Sequence, residues 1–255
     1  MRRVTNEINR LDGIELDLQE GIGSKTAIKR AIIKKSLKTG RILDLGCGNG
    51  LVSKDLGKVT GVDISPARLS QARRNGLKTI KADVLNTKLP AGYFDAIIAT
   101  DLLEHMQRPY DLLIECNRLL REGGQLFLET PNALNLERFI RLIFYQESRE
   151  ESPNHLFLFD RISLTEMLTR TDFKIDKINY IGLNFPGWRE LIRLFIYNYE
   201  PKENDNEQKV GIINKLWWLL GQIFSPFAYS LLIVAHKETG LGNTERTDPA
   251  KVCGE

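Results

Sequence analysis

From residue 41 onward the apolar positions fall into short bursts that switch between two periods. RILDL (41–45), KVTGVDI (58–64), LKTIKAD (77–83), YFDAIIAT (93–100) and QLFLETP (125–131) are short, aliphatic and β-branched, and predict strands. Between them, NGLVSKDLG (49–57) predicts a short helix, SPARLSQARRNG (65–76) a second and PYDLLIECNRLLREGG (109–124) a third. Ser65-Pro66 supplies an N-cap hydroxyl and a proline in the first turn, where its missing N–H costs nothing. In the third helix Leu112, Leu113, Cys116, Leu119 and Leu120 share one face, Cys116 reads as core, and Gly123-Gly124 is the expected stop. Upstream, 24–40 has apolar Ile28, Ala31, Ile32 and Leu37 near helical spacing, with Ser24 as N-cap and Gly40 at the end. Strands alternating with helices predict an α/β fold, a mostly parallel sheet covered on both faces.

After Pro131 the pattern changes. Residues 133–146 predict a helix, 147–154 an exposed loop, 156–173 a turn leading into a helix, and FKIDKINYIG (173–182) a strand. The aromatic stretch FPGWRELIRLFIYNY (185–199) is followed by a charged linker (200–209), the apolar run 210–237, and a tail from 238 with the composition of a disordered terminus. Leu216–Ala235 holds no charged residue and reaches the roughly 20 residues of a membrane span. Gln222, Ser225, Pro226 and Ser230 interrupt it, so a helix ending near Phe224 and a strand from Ser230 account for it better. A peripheral membrane contact through Trp217 and Trp218 stays open as an alternative.

Composition narrows the classes. With 42% apolar residues in 255, one domain with a sizeable core is expected. The net charge of +3, with basic residues spread among acids, gives no stripe for a nucleic acid, and none is expected as partner. Three scattered cysteines suggest neither a disulfide framework nor metal-ligand spacing; the start lacks the apolar segment of a secretory signal, and a cytoplasmic protein without metal is expected.

The chemistry is concentrated in LDLGCGNG. Glycines at 46, 48 and 50 between a strand and the residues after it allow a tight turn and close approach of backbone to a ligand. Asp63 ends the next strand, 17 residues beyond Gly46, where a carboxylate can accept both hydroxyls of a ribose; Asp83 follows the third strand, where it can accept from an adenine amine. Together they indicate a nucleoside ligand. A nicotinamide dinucleotide fits less well, because G-x-G-x-x-G is replaced by G-x-G-x-G with Leu51 in the sixth place.

LDLGCGNG, GVDIS, KAD, FDAIIATDLLEHM and LLREGGQLFLETPN, in order over residues 40 to 135, resemble the successive motifs of class I S-adenosylmethionine-dependent methyltransferases, and among them the small-molecule branch that includes ubiquinone-biosynthesis methyltransferases. That resemblance implies a three-layer Rossmann-like fold with seven strands, the last antiparallel and inserted beside the fifth, here SLLIVAHK (230–237), with FKIDKINYIG as the sixth. It implies S-adenosylmethionine as cofactor. Gly46, Cys47 and Gly48 would lie under its methionine and ribose, with Asp44 toward the amino group, Asp63 on the ribose, Ile64 along the adenine, Asp83 and Val84 at the adenine edge, and Thr100 near the methionine end. Cys47 reads as a small loop residue without thiol chemistry.

Methyl transfer from an activated sulfonium needs alignment first, and a base when the acceptor is a neutral hydroxyl or amine. His105 and His155 are the candidates. A single methyltransferase domain is expected over 1–237, with a helical cap in 1–40 and acceptor-side insertions at 132–160 and 182–228, before a flexible tail, 238–255. Phe139, Ile143, Phe144, Tyr145, Phe185, Trp188, Phe195, Trp217 and Trp218 in those insertions suit a small-molecule or lipid-like acceptor, methylated on oxygen. The rivals are a non-catalytic cofactor-binding partner subunit of the same fold and an NAD-dependent oxidoreductase.

Overall fold

The computed structural model describes residues 21–135, 138, 154–181 and 228–239. The elements run α1 (Gly21–Ser36), β1 (Ile42–Leu45), β2 (Val59–Asp63), α2 (Pro66–Arg74), β3 (Lys78–Lys81), β4 (Phe94–Thr100), a 3-10 turn (Leu103–His105), α3 (Pro109–Leu119), β5 (Leu120–Pro131), α4 (Arg161–Arg170), β6 (Phe173–Ile181) and β7 (Ser230–Lys237). The strands form one seven-stranded sheet in the order β3-β2-β1-β4-β5-β7-β6. The pairings from β3 to β5 are parallel, and β7 lies antiparallel to both β5 and β6. The expected architecture, with SLLIVAHK as the inserted last strand, is the one observed.

Burial on both faces explains why the strands read as nearly continuous apolar runs. Leu43, Leu45, Ile97, Leu126 and Leu128 join Leu112, Leu113, Cys116 and Leu119 of α3 and Leu164 and Leu168 of α4 in one apolar cluster. Their neighbours in sequence, Ile42, Ala96, Ile98 and Phe127, belong to a second cluster with Ile33 of α1 and Leu69 and Ala72 of α2. Cys116 is fully buried, as its place on the helix face predicted.

Three boundaries depart from expectation. Residues 49–57 form consecutive turns in place of a helix, because Gly48, Gly50, Asp55 and Gly57 all take positive φ, incompatible with a continuous α-helix. Helix α1 begins at Gly21, leaving Ser24 inside it and not at its cap, and ends at Ser36, before Gly40. Helix α3 stops at Leu119, and Leu120 is already extended and paired with Phe94. The next β4 pair is Ala96 with Gln125, so Gly123-Gly124 serves an excursion within β5: Gly123 has φ +67°, and a Cβ on Gly124 would come within 2.9 Å of Arg121 O. Ser65 and Pro66 do start α2, the Ser65 hydroxyl accepting from Arg68 N–H.

Residue 230 onward of the apolar run lies in β7, so those residues are sheet and not span. Among the described residues no helix is long and apolar enough to cross a membrane. Trp217, Trp218, the aromatic residues of 139–145 and 185–195, the linker, the tail beyond 239 and the first 20 residues lie outside the described residues.

The sharpest packing constraint sits under the glycine loop. A Cβ on Gly61 of β2 would lie 2.7 Å from Cys47 Sγ and 3.1 Å from the Leu77 side chain. Gly61→Ala should destabilise the fold by about 1–3 kcal/mol, the usual cost of overpacking, measured by urea unfolding. Adding Cys47→Gly should recover part of that loss by removing the clashing sulfur.

Candidate functional site

The site lies at the carboxyl ends of β1, β2 and β4. Gly46 and Cys47 N–H both donate to Val62 O, at 2.8 and 3.0 Å, extending the β1–β2 ladder into the loop. Gly46 (φ +69°) needs its missing Cβ twice: an L-residue is strained there, and a Cβ would lie 2.8 Å from Leu102 Cδ1 on the loop after β4. The loops that follow β1 and β4 therefore touch at glycine distance. At Gly48 (φ +53°) a Cβ would meet nothing within 4 Å. That backbone borders open space, the cradle a ligand needs.

Asp63 holds the loop together. Its Oδ2 accepts from Gly48 N–H at 2.9 Å and its Oδ1 from Ser65 N–H at 2.8 Å, with the side chain buried. Each carboxylate oxygen retains a lone pair beyond these bonds, so the group can clamp the loop and still accept from a ribose. Two further ties brace the loop: Asn75 Nδ2 donates to Asn49 O at 2.9 Å, and Arg30 of α1 donates to Leu51 O. Next to Asp63, Ile64 is 69% exposed, an apolar surface beside the open cradle. Asp83 is exposed, its Oδ1 accepting from Leu85 N–H at 2.9 Å. The Val84 side chain packs in the apolar cluster with Leu43 and Ile97, so only its backbone is left to meet a ligand.

Asp44, the third residue of β1, is buried and accepts from the Ser53 hydroxyl. Burial raises its pKa to about 7; the Ser53 bond opposes the rise and the Asp63 charge adds to it. Burial likewise raises the Cys47 thiol to about 12, which keeps it protonated and unreactive.

On the β4 side, Thr100 is buried at the strand end, and Asp101 follows with φ +49°. The turn Leu103–His105 then presents Glu104 and His105. His105 Nδ1 lies 3.0 Å from Asn154 O; since a carbonyl only accepts, Nδ1 carries the proton and Nε2 the lone pair. The His155 ring stands edge-on to His105 with centroids 4.8 Å apart. Burial lowers the His155 pKa, and the His105 charge lowers it further. Ligating atoms of Glu104, His105 and His155 lie within 4.8 Å of one another, close enough to ligate one cation. Thus the two histidines, 50 residues apart in sequence, are brought together.

Glu104 is a residue the pattern did not single out. It is buried; its Oε2 accepts from Thr130 Oγ1 at 2.9 Å, its Oε1 has no hydrogen-bond partner among the described residues, and burial raises its pKa to about 7. Lys29, Asp101 and Glu129 were missed as well; Lys29 Nζ lies 2.5 Å from Asp101 Oδ2 and 2.7 Å from Glu129 Oε2. The signal that could have found Glu129 is a charge inside the apolar run LFLETP, since such a strand end carries something other than packing. Thr100, Asp101, Glu104 and His105 thus follow one another at the carboxyl end of β4, whose loop meets the glycine loop where Leu102 approaches Gly46, while Asp63 and Ile64 lie at the end of β2.

Residues 43–128 match the family model described as a methyltransferase domain. A ubiquinone biosynthesis O-methyltransferase of Dechloromonas aromatica (strain RCB) is 38% identical over 109 residues, covering 38% of this chain and 47% of that protein. The chain thus matches about half the length of its curated relatives. Among solved structures, an S-adenosylmethionine-dependent methyltransferase from Archaeoglobus fulgidus superposes with TM-score 0.56 at 24% identity, covering 83% of this chain and 94% of that one. Phosphoethanolamine N-methyltransferase 2 of Haemonchus contortus, solved with S-adenosyl-L-methionine, superposes with TM-score 0.52 at 20% identity, covering 83% of this chain and 52% of that one. Strand order, glycine loop and matched segment agree: residues 43–128 are similar to a methyltransferase domain, and the sheet has the fold of S-adenosylmethionine-dependent methyltransferases.

Proposed function

We propose that the protein transfers the methyl group of S-adenosylmethionine to a hydroxyl oxygen of a small, largely apolar acceptor. The observation that carries this reading is the open cradle at Gly48, clamped by Asp63, and it is supported by the pairing of His105, just after β4, with His155. The residues present fit the cofactor. Gly46, Cys47 and Gly48 would underlie its methionine and ribose, Asp44 would take the ammonium, and Asp63 the ribose hydroxyls. Ile64, Asp83 and the Val84 backbone would border the adenine, with Thr100 near the methionine end. The turns that replace a helix after β1 disfavour a dinucleotide, whose pyrophosphate would need that helix N-terminus.

When bound, S-adenosylmethionine supplies an activated methyl group, whose departure breaks the sulfur–carbon bond and leaves a neutral thioether. The protein's part is to align the acceptor oxygen with that group and to take its proton. His105 Nε2 carries the lone pair that can receive the proton, because Nδ1–H is committed to Asn154 O. His155 stands beside it as the second candidate. Leu156 N–H donates to Glu104 O at 2.8 Å, which staples the segment after Asn154 beside the histidines. On that segment Leu156, Phe157 and Leu158 are exposed, as is Leu134 across from it, and this apolar rim supports an apolar acceptor. The curated relatives' O-methyltransferase names point the same way for the acceptor atom.

Calorimetric titration should show S-adenosylhomocysteine binding and NAD failing to bind; the reverse would sink the methyl-donor reading. Asp63→Ala should weaken that binding by about 1.5–3 kcal/mol, the worth of a charged hydrogen bond, and unchanged affinity would remove Asp63 from the site.

Asp44 provides a pH test. With its carboxyl near pKa 7 before binding, an incoming ammonium favours the ionised form, so binding near that pH should release a proton. The release should vanish at higher pH, where Asp44 is already ionised. Titration in buffers of different ionisation enthalpy measures it, and Asp44→Asn should remove it.

For catalysis, His105→Ala should lower kcat by about 100-fold or more if the acceptor is a hydroxyl, while leaving S-adenosylhomocysteine affinity nearly unchanged. An equal kcat in steady-state assays would assign proton removal elsewhere.

A further inference from the structure

Methyl transfer, as drawn above, gives no task to one buried charge. Lys29 of α1 is 6% exposed, and its ammonium sits between Asp101 Oδ2 and Glu129 Oε2 at 2.5 and 2.7 Å. The two carboxylates differ in setting: the Glu129 side chain is 1% exposed inside the sheet, and the Asp101 side chain 56% exposed at the end of β4. Lys29 therefore links an interior charge to one at the crevice. Asp101 is further pinned through its backbone, whose N–H donates to Glu129 O at 3.1 Å while φ is held at +49°. With Oδ2 on Lys29, the carboxylate still has Oδ1 and a further lone pair on Oδ2 to offer.

The same helix touches the other wall of the crevice. Arg30, the next residue, donates to Leu51 O beyond the glycine loop, and one turn earlier the Lys25 ammonium lies 3.2 Å above the centre of the Tyr229 ring. Its far end is tied to the sheet, where Gln125 Nε2 donates to Ser36 O at 3.1 Å and Gln125 Oε1 accepts from Lys38 N–H at 2.9 Å. Helix α1 thus joins the loop after β1 to the loop after β4.

Resting on the methyl-donor reading, we propose that Lys29 is a positioning residue for the donor site: by neutralising Glu129 it holds the Asp101 carboxylate at the mouth of the crevice, where the donor's positively charged end is bound. The electrostatics agree with the geometry. Burial favours the neutral amine at Lys29, yet Glu129 and Asp101 outweigh it and its pKa is raised. Burial and the Asp101 charge push Glu129 up, and Lys29 opposes them. The other groups facing the cluster are Ser230, which hydrogen-bonds Glu129, Glu104, which feels both Asp101 and Lys29, and His155, which feels Asp101. Without Lys29, Glu129 would be protonated at lower pH and tolerate Asp101; at higher pH it would ionise and repel it.

The test titrates full-length protein with S-adenosylhomocysteine. Lys29→Met should weaken binding by about tenfold or more near pH 8.5 and by clearly less near pH 6.5, whereas Lys29→Arg should stay within about threefold of the parent. Adding Glu129→Gln to Lys29→Met should restore most of the affinity and erase the pH dependence. Parent-like binding by Lys29→Met overturns the inference. So does an equal loss at both pH values without recovery in the double variant, which is what a purely structural anchor would give. Should Lys29→Met alone fail to fold, a double variant that folds and binds like the parent supports the proposal, and one that folds without binding overturns it. If the parent protein itself does not bind the nucleoside, the donor reading falls before Lys29 is tested.

Discussion

The site depends on one topological constraint, the reversal of winding between β1 and β4. From β1 the chain moves outward to β2 and β3, returns to lay β4 on the other side of β1, and proceeds to β5. Loops leaving the carboxyl ends of these two neighbours diverge, and a crevice opens between them. Its base is as narrow as a backbone permits, since a Cβ on Gly46 would collide with Leu102. Asp63 then turns a flexible glycine loop into a defined surface, engaging Gly48 with one oxygen and Ser65 with the other. One carboxylate at the end of β2 thereby sets the geometry of two loops.

The two edges of the sheet treat acids in opposite ways. At the carboxyl edge Asp44, Glu104 and Glu129 are enclosed; burial lifts Asp44 and Glu104 to about 7 and pushes Glu129 up as well, against the pull of Lys29. At the opposite edge Asp95 accepts from Arg41 N–H and from the guanidinium groups of Arg121 and Arg41, which hold it at about 2. Solvation and partners make the difference, not residue type. A sheet end crowded with poorly solvated acids is an environment that favours cationic ligands, and a sulfonium with an ammonium is such a ligand. The apolar rim at Leu134, Leu156, Phe157 and Leu158 gives the proposed acceptor side a different character from the charged side proposed for the donor.

Closure of the site from the other direction falls to β7. Inserted antiparallel between β5 and β6, it pairs Pro131 with Ser230 and Glu129 with Leu232. Asn132 continues the join, its N–H donating to Tyr229 O and its Nδ2 to Ala228 O, both at 2.9 Å. A segment nearly 100 residues later in the chain so becomes a wall beside β5, and the Tyr229 ring receives Lys25 of α1.

Much of this was readable in the chain because local chemistry determines it. Apolar bursts bounded by glycine, proline and serine marked all seven strands; the glycine loop, Asp63 and the Ser65-Pro66 helix start followed from backbone rules that act over a few residues. Local rules failed where several glycines and Asp55 accumulate positive φ, as in 49–57, and where pairing with a neighbouring strand overrode helical periodicity, as at Leu120. The glycine loop and the alternation of elements therefore determined the fold and the kind of ligand it faces. Tertiary structure alone decided that His105 meets His155, that Glu104 is buried, and that Lys29 reaches Asp101 and Glu129 across 72 and 100 positions of sequence. Burial and long-range ion pairing are properties of the assembled sheet, and no periodicity along the chain encodes them.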